Sequence, residues 1–339
     1  MVNIGVIGCG YWGPNLIRNF VTCHETELIW ACDLDEKRLQ NVLRPYPGIS
    51  KTTDLKDILA DDRVDAIAVA TPVHTHFPIA KAFLERGKHV LVEKPLASSV
   101  AQGEELVNLA EKNNLRLMCD HTFCYTGAVR KIRDIVKSGT LGELLYFDSV
   151  RVNLGLFQQD INVVWDLAPH DLSVIDFIVD EKPVLASAHG VSHAGNDIEN
   201  IAYICLAYQN SFIAHFHVNW LSPVKVRMTM IAGSEKMLVW NDLDQAEKIK
   251  IYDKGIEVKQ DEREQKERLL VSYRSGDMYA PRIDQVEALA LMVKEFADCI
   301  QESRPALTDG EAGLRVLRIL DAANRSIKAD GANVRIDHY

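Results

Sequence analysis

Val2-Asn3-Ile4-Gly5-Val6-Ile7-Gly8-Cys9-Gly10-Tyr11-Trp12-Gly13 is the stretch that decides the fold. A nearly continuous apolar run such as Val2–Ile7 belongs to a strand buried on both faces, as in parallel sheets. It ends in glycines spaced G-x-G-x-x-G, and Pro14–Val21 then repeats its apolar positions with a helical period. In that setting Gly8 allows the tight turn, Gly10 lets the backbone approach a pyrophosphate, and Gly13 lets helix and strand pack closely. The free N–H groups and positive dipole at the helix start would hold the phosphates, with Pro14 in the first turn where a missing donor costs nothing. A dinucleotide site is the expectation, and a purely structural turn the alternative.

Working outward, the same alternation continues. Strands are expected at Leu28–Cys32, Ile49–Thr52, Ala66–Ala70, His89–Val92 and Arg116–Cys119. Helices are expected between them at Glu36–Leu43, Leu55–Leu59, Ile79–Glu85, ending at Gly87, and Val100–Lys112. Strands and helices at this spacing mean βαβ units, and right-handed crossovers make the sheet doubly wound. Asp33 ends the second strand where a dinucleotide fingerprint places its acidic residue. A carboxylate there accepts hydrogen bonds from ribose hydroxyls and repels a 2′-phosphate, which favours NAD over NADP. Asp33 could instead cap the next helix, and Asp35 competes for both roles.

Two more strands end in polar residues and a proline: Ala70-Thr71-Pro72-Val73-His74-Thr75-His76 and Val90-Leu91-Val92-Glu93-Lys94-Pro95. The second would deliver Lys94 to the edge of the sheet where open α/β folds hold their ligands. The glycine loop, Asp33, Thr71-Pro72 and Glu93-Lys94 thus converge on one edge.

From about Thr122 the rhythm changes. After a helix at Val129–Lys137 come a strand at Leu144–Asn153, a loop-rich stretch through Phe157-Gln158-Gln159, and a helix near Leu167–Val179. Strand-like segments then run in series from Val184 to Tyr252, with Gln209-Asn210 as a hairpin turn. The charge run Asp261–Arg268 reads as solvated, and helices at Gln285–Cys299 and Gly310–Ile327 close the chain. This predicts an α+β region on a large open, mostly antiparallel sheet, with domains at 1–121 and 122–339. In Trp165-Asp166-Leu167-Ala168-Pro169-His170-Asp171, Asp166 is expected to cap the helix and Pro169 to fall in its first turn. Asp166 and His170 would then share one face as a carboxylate–imidazole pair suited to acid–base work. An N-cap beside a structural histidine is the plainer reading.

Composition narrows the function classes. With a formal charge of −10, 47% hydrophobic and 25% charged residues, the chain reads as a globular protein whose main partner is neither nucleic acid nor an anionic membrane. No apolar run reaches transmembrane length, and the N-terminus lacks the basic region of a signal peptide. Seven scattered cysteines without a CxxC pair fit free thiols in the cytoplasm better than disulfides or a metal site.

These motifs together resemble the Gfo/Idh/MocA family of NAD(P)-dependent sugar and polyol oxidoreductases, over essentially the whole chain. The resemblance rests on the glycine fingerprint, Thr71-Pro72 with His74 and His76, Glu93-Lys94-Pro95, and Asp166-x-x-x-His170. It implies an N-terminal Rossmann domain with NAD held by Gly8, Gly10, Tyr11, Trp12, Gly13, Asp33, Thr71, Pro72, His74, His76, Glu93 and Lys94. It implies a second domain whose open sheet builds a homodimer or homotetramer, and a sugar or nucleotide-sugar substrate. Lys94 and His170 would form the acid/base pair with Asp166 assisting, either of the two being the formal base. Substrate contacts would come from Lys94, His121, Tyr125, Asn153, Gln158, Trp165, Asp166 and His170, with Arg151 and Lys225 placed to meet a diphosphate. Ala168 replaces a family glycine, and Asp120–Tyr125 lacks the asparagine-x-arginine pattern of relatives, which weakens transfer from inositol or glucose enzymes. His121-Thr122-Phe123 and Trp165–Asp171 look like a bacterial subgroup that oxidises the 3-hydroxyl of UDP-N-acetylglucosamine or its uronate. Alternatives are reduction of a 3-keto nucleotide sugar, a free-sugar or inositol dehydrogenase, an NAD-dependent glycosidase, and a non-catalytic nucleotide sensor.

Overall fold

Apolar β-branched runs separated by amphipathic segments give the first half its alternation. The computed structural model describes residues 1–155, 161–193, 198–260 and 269–337. Its first elements are β1 (Val2–Ile7), α1 (Gly13–Thr22), β2 (Thr26–Cys32), α2 (Glu36–Leu43), β3 (Ser50–Thr52) and α3 (Leu55–Ala60). Then come β4 (Ala66–Val69), α4 (Val73–Glu85), β5 (His89–Glu93), α5 (Val100–Lys112) and β6 (Leu117–Asp120). The six strands form one parallel sheet in the order β3-β2-β1-β4-β5-β6. Chain order reverses between β1 and β4, and at such a switch point a crevice opens outside the carboxyl ends of the strands. β5 pairs beside β4, Val92 against Val69, so Glu93 and Lys94 emerge on that same edge.

Local chemistry sets several boundaries. Asp35 caps α2, its side chain accepting from the Arg38 N–H at 3.0 Å, which leaves Asp33 free of that role. α4 ends at Gly87 (φ +73°), with the Gly87 N–H on the Leu84 carbonyl at 3.1 Å and the Lys88 N–H on the Phe83 carbonyl at 3.0 Å. Those paired bonds satisfy the last carbonyls of a glycine-ended helix. The same helix starts at Val73, earlier than the expected Ile79, and carries Pro78 inside it. Pro78 is past the first turn and removes the helix bond to the His74 carbonyl, which is why a proline there reads as a boundary in the sequence.

The second half holds a 3-10 turn (Thr122–Tyr125), α6 (Gly127–Lys137), β7 (Leu144–Leu154), α7 (Val163–Ile178), β8 (Leu185–Val191), β9 (Ile201–Ala207) and β10 (Ile213–Asn219). β11 (Leu221–Gly233), β12 (Met237–Asn241), β13 (Ile249–Tyr252), β14 (Gly255–Gln260), β15 (Leu269–Arg274) and β16 (Met278–Tyr279) follow. The chain closes with α8 (Ala288–Gln301), α9 (Gly310–Lys328) and β17 (Val334–Arg335). Nine strands make the large sheet, ordered β16-β13-β12-β11-β7-β10-β9-β8-β17. β10 and β7 pair in parallel and the other neighbours antiparallel. β14 and β15 pair with each other as a separate ribbon that the sequence reading did not anticipate; the charge run 261–268 between them lies outside the described residues.

α7 packs on one face of this sheet, over the buried side of β9 and β10: Ala202, Ile204, Leu206, Ala214, Phe216 and Val218. The alternate residues face the other way, and Tyr203 and Ile213 stay exposed there. α9 joins the two sheets, packing against α5, β6, α7 and β8. Just before it, the Thr308 carbonyl accepts the Cys119 N–H at 2.9 Å and the Thr308 hydroxyl donates to the Cys119 carbonyl at 2.8 Å. That covers the free edge of β6. One apolar core therefore runs from β4 and β5 through α5 and α9 into the large sheet, while a second fills the space around β1, α1 and α8. A division at 121/122 remains our proposal for the domain boundary.

Candidate active site

The glycine loop between β1 and α1 is shaped for a phosphate. Gly8 sits at φ +95°, and a Cβ there would lie 2.4 Å from the Ala70 carbonyl oxygen; a Cβ on Gly13 would lie 1.9 Å from that of Gly8. Neither position admits another residue. Nothing lies within 4 Å of where a Cβ on Gly10 would be, so backbone there faces open space. Asp33 braces the loop: Oδ2 accepts the Cys9 N–H at 2.7 Å and Oδ1 the Asp35 N–H at 2.8 Å. A carboxylate has about four lone-pair sites, so acceptor capacity remains for ribose hydroxyls. Arg38 stands 3.4 Å from Asp33 and is half exposed.

Gly8, Gly10, Tyr11, Trp12 and Asp33 line a cleft of 980 Å³, and Thr71, Pro72, Glu93, Lys94 and Asp166 line it from the other strand ends. That volume sits at the upper end for small-molecule and cofactor sites and suits an extended dinucleotide. The open space at Gly10 and the braced carboxylate of Asp33 fit a pyrophosphate and an adenosine ribose. Deeper in, Trp12 Nε1–H donates to Asp120 at 3.0 Å. Glu93 is paired in register with Asp120, and burial together with that neighbouring charge raises its pKa well above the ordinary carboxylate value.

Lys94 is the first residue beyond β5, joined to Pro95 by a cis peptide bond. Its Nζ donates to the Asp166 carbonyl at 2.8 Å and contacts Asp166 Oδ1 at 3.3 Å; the other oxygen of Asp166 accepts Trp220 Nε1–H at 3.0 Å. Asp166 is therefore not the cap of α7. Asn162 is, accepting the Trp165 N–H at 3.1 Å, and Pro169 lies inside the helix. Asparagine is as good a cap as aspartate and stands one turn earlier, so the helix begins there and the carboxylate of Asp166 is left free to reach Lys94. No hydrogen bond joins Asp166 to His170 among the described residues.

His170 lies one turn along α7, half-buried, with its ring edge-on to Phe123 at 5.2 Å. Burial, and after it the charges of Lys94, Arg151 and Arg227, hold its pKa well below the ordinary histidine value. Beside it Arg151 Nε and Nη2 donate to the two oxygens of Asp171 at 2.7 and 2.8 Å, and the guanidinium lies 4.6 Å above the Phe123 ring.

Several expected contacts fall elsewhere. His76 is buried, with its ring nitrogens 2.9 Å from the Pro95 carbonyl and 2.8 Å from that of Thr71; it braces the two strand-end turns and does not line the cleft. Tyr125 is fully buried with its hydroxyl on Thr308 at 3.1 Å, because its ring fills the core under α8. His121 is also buried. It lines a separate cavity of 160 Å³ with Ser173, Asp176 and Arg315, neither ring nitrogen having a hydrogen-bond partner among the described residues, and burial lowers its pKa to about 4. Arg151 is sealed by Asp171 and cannot meet a diphosphate. Lys225 is exposed, Asn153 is half-buried at the end of β7, and Gln158 lies outside the described residues. His74 and Trp165 line a second pocket of 400 Å³, next to the main cleft, with Asn162, Glu199, Asn324 and Lys328.

Phe123, Asp171, Arg227, Trp220 and Trp240 surround Lys94, Asp166 and His170 and had no such place in the sequence reading. Strand alternation carried part of the signal: Arg151 and Arg227 are cross-strand partners in β7 and β11, so their side chains share a face.

Comparison with known proteins gives two matches to one family. Residues 2–121 match the model of the Gfo/Idh/MocA oxidoreductase family with an NAD-binding Rossmann fold, and residues 129–239 match the Gfo/Idh/MocA C-terminal domain. The chain is 25% identical to the UDP-N-acetylglucosamine 3-dehydrogenase of Acidithiobacillus ferrooxidans over 92% of its own length and 93% of that protein's. It is 26% identical to an uncharacterized oxidoreductase of Streptococcus pneumoniae over 63% of this chain and 61% of that one. In two further curated relatives the match spans only 33% and 51% of their length. A solved structure of the Acidithiobacillus ferrooxidans dehydrogenase superposes with a TM-score of 0.80 at 23% identity, covering 96% of this chain and 98% of that one.

Proposed function

Because the chain belongs to the Gfo/Idh/MocA family of NAD-binding oxidoreductases, we propose that it transfers a hydride between a secondary hydroxyl of a sugar and NAD. The hydroxyl we assign is the 3-hydroxyl of a UDP-N-acetylated hexose or of its uronate. The observation that carries this reading is Lys94: its ammonium, held by Asp166, stands in the cleft that Gly8, Gly10 and Asp33 also line, with a neutral His170 one turn along α7. Similarity along the whole chain to a relative named for that 3-hydroxyl supports the substrate class.

Bound NAD supplies the hydride acceptor; placement and proton handling fall to the chain. His170, uncharged near neutral pH, accepts the hydroxyl proton. Lys94 donates to the same oxygen and stabilises the alkoxide, a charge that grows only towards the transition state. Asp166 orients Lys94 and not the histidine, which makes His170 the formal base in this reading. Among the described residues no helix packs over the sheet face carrying Tyr203 and Ile213, and we assign it to a homodimer or homotetramer contact.

The test is oxidation of UDP-N-acetylglucosamine and of its uronate, followed at the reduced-nicotinamide band across pH. The reading expects NADH to form with one of them. The acid limb of kcat/KM should lie below pH 6.5, because the protonated histidine is disfavoured until the pH falls past its lowered pKa. Release of free sugar without NADH would overturn it.

A further inference from the structure

We propose that Arg227 seats an acidic group of the substrate, so that the sugar accepted beside His170 carries an anion within reach of β11. The inference rests on the assignment of the cleft at Lys94 to a substrate that reaches His170, but not on which sugar that is.

Charge pairing around His170 is incomplete. The cations around His170 do not share the same fate. Lys94 is matched by Asp166, and Arg151 is sealed by both oxygens of Asp171 at 4% and 5% side-chain exposure. Among the described residues Arg227 has only Asp242, at a long 3.5 Å. That carboxylate is shared with Lys248, whose Nζ stands nearer at 3.1 Å. One positive charge in this group is therefore unmatched, and Arg227 carries it. Its Nε is buried without a hydrogen-bond partner, while the side chain as a whole remains one third exposed. Burial, and then Arg151, pull its pKa below the ordinary arginine value, the mark of a cation held where water serves it poorly.

Position gives that charge a use. The Arg227 guanidinium lies 5.9 Å from the centre of the Phe123 ring, and His170 meets the same ring edge-on at 5.2 Å. Trp240 lies 6.3 Å from Phe123 on the side of β12. Trp240 is buried behind Phe123, so the half-buried Phe123 ring is what lies between the imidazole and the guanidinium. A partly exposed planar fork of donors beside such a ring is suited to read a carboxylate or phosphate. Two anions are chemically open: a carboxylate on the sugar ring, or a phosphate of the nucleotide.

The experiment is calorimetric titration of the NAD-loaded protein, wild type and Arg227→Gln, with four ligands. These are UDP-N-acetylglucosaminuronate, UDP-N-acetylglucosamine, N-acetylglucosaminuronate and N-acetylglucosamine. The proposal expects Arg227→Gln to weaken the acidic ligands about 10–100-fold, the worth of a hydrogen bond to a charged group, and to leave N-acetylglucosamine unchanged. Loss confined to the two uronates assigns the anion to the sugar carboxylate; loss with both UDP-sugars assigns it to the diphosphate. Equal loss for all four, or no loss above about twofold, overturns the proposal. If Arg227→Gln fails to fold, Arg227→Lys and the wild-type preference replace it, and wild type binding N-acetylglucosamine as tightly as both its uronate and its UDP conjugate overturns the proposal. Binding that depends on Arg227 without any NADH formation leaves the seat standing and defeats the redox reading. NADH formation with affinities indifferent to Arg227 does the reverse.

Discussion

Lys94→Ala is expected to lower turnover by about 10²–10⁴, the usual contribution of a positioned acid–base group, while NAD affinity changes by less than about threefold. The reason for the split lies in the geometry. In the proposed reading, pyrophosphate and ribose contacts would come from the loop at Gly8–Gly13 and from Asp33, at the β1 and β2 strand ends. Lys94 stands at the end of β5, bound to Asp166 on a helix of the other sheet. Removing its ammonium would leave the dinucleotide cradle whole and, in the proposed reading, take away the donor at the reacting oxygen. Lys94→Arg should rescue little, because a planar fork cannot occupy the place of a compact ammonium. Steady-state rates with an NAD titration by fluorescence check both halves. Turnover within about threefold of wild type would remove Lys94 from the chemistry.

Asp171→Asn carries the largest expected cost in stability. Arg151 and Asp171 form a two-fold hydrogen-bonded pair that is almost completely buried. Breaking such a pair on one side leaves an uncompensated guanidinium in the core, a loss of about 3–5 kcal/mol. Replacing both partners with apolar residues, Arg151→Met with Asp171→Leu, should recover most of it, since the attraction within a buried pair only roughly offsets desolvation. Activity should not return in the double variant. Arg151 also packs on Phe123, and Phe123 meets His170, so the ring that backs the imidazole loses its support. Denaturant unfolding with parallel rate measurements decides the matter; a loss below about 1 kcal/mol for Asp171→Asn would contradict it.

The parallel sheet was legible because its signals are local. A strand buried on both faces is a run of apolar residues, and a glycine that must tolerate φ +95° against the Ala70 carbonyl leaves a spacing in the sequence. Gly8, Asp33 and Lys94 could be placed on one edge from strand order alone. What resisted reading was set by tertiary competition. Asn162 and Asp166 both look like caps, and only the packed helix shows that Asn162 takes the position, which sends Asp166 to Lys94 and Trp220. Tyr125 and His121 follow a strand end as cofactor-site residues do, yet α8 and Thr308 close over the tyrosine and α7 over the histidine. Arg227 was missed because it sits far along the chain in a strand whose pairing with β7 no local pattern announces.

The most direct measurement follows a deuterium placed on C3 of the UDP-N-acetylated hexose or its uronate. Hydride transfer from that carbon, with Lys94 and His170 managing the proton, predicts one deuterium on the reduced nicotinamide per turnover and a slower reaction than with the protiated sugar. Recovery of the label in the sugar product or in water, with NAD returned unchanged, would contradict it.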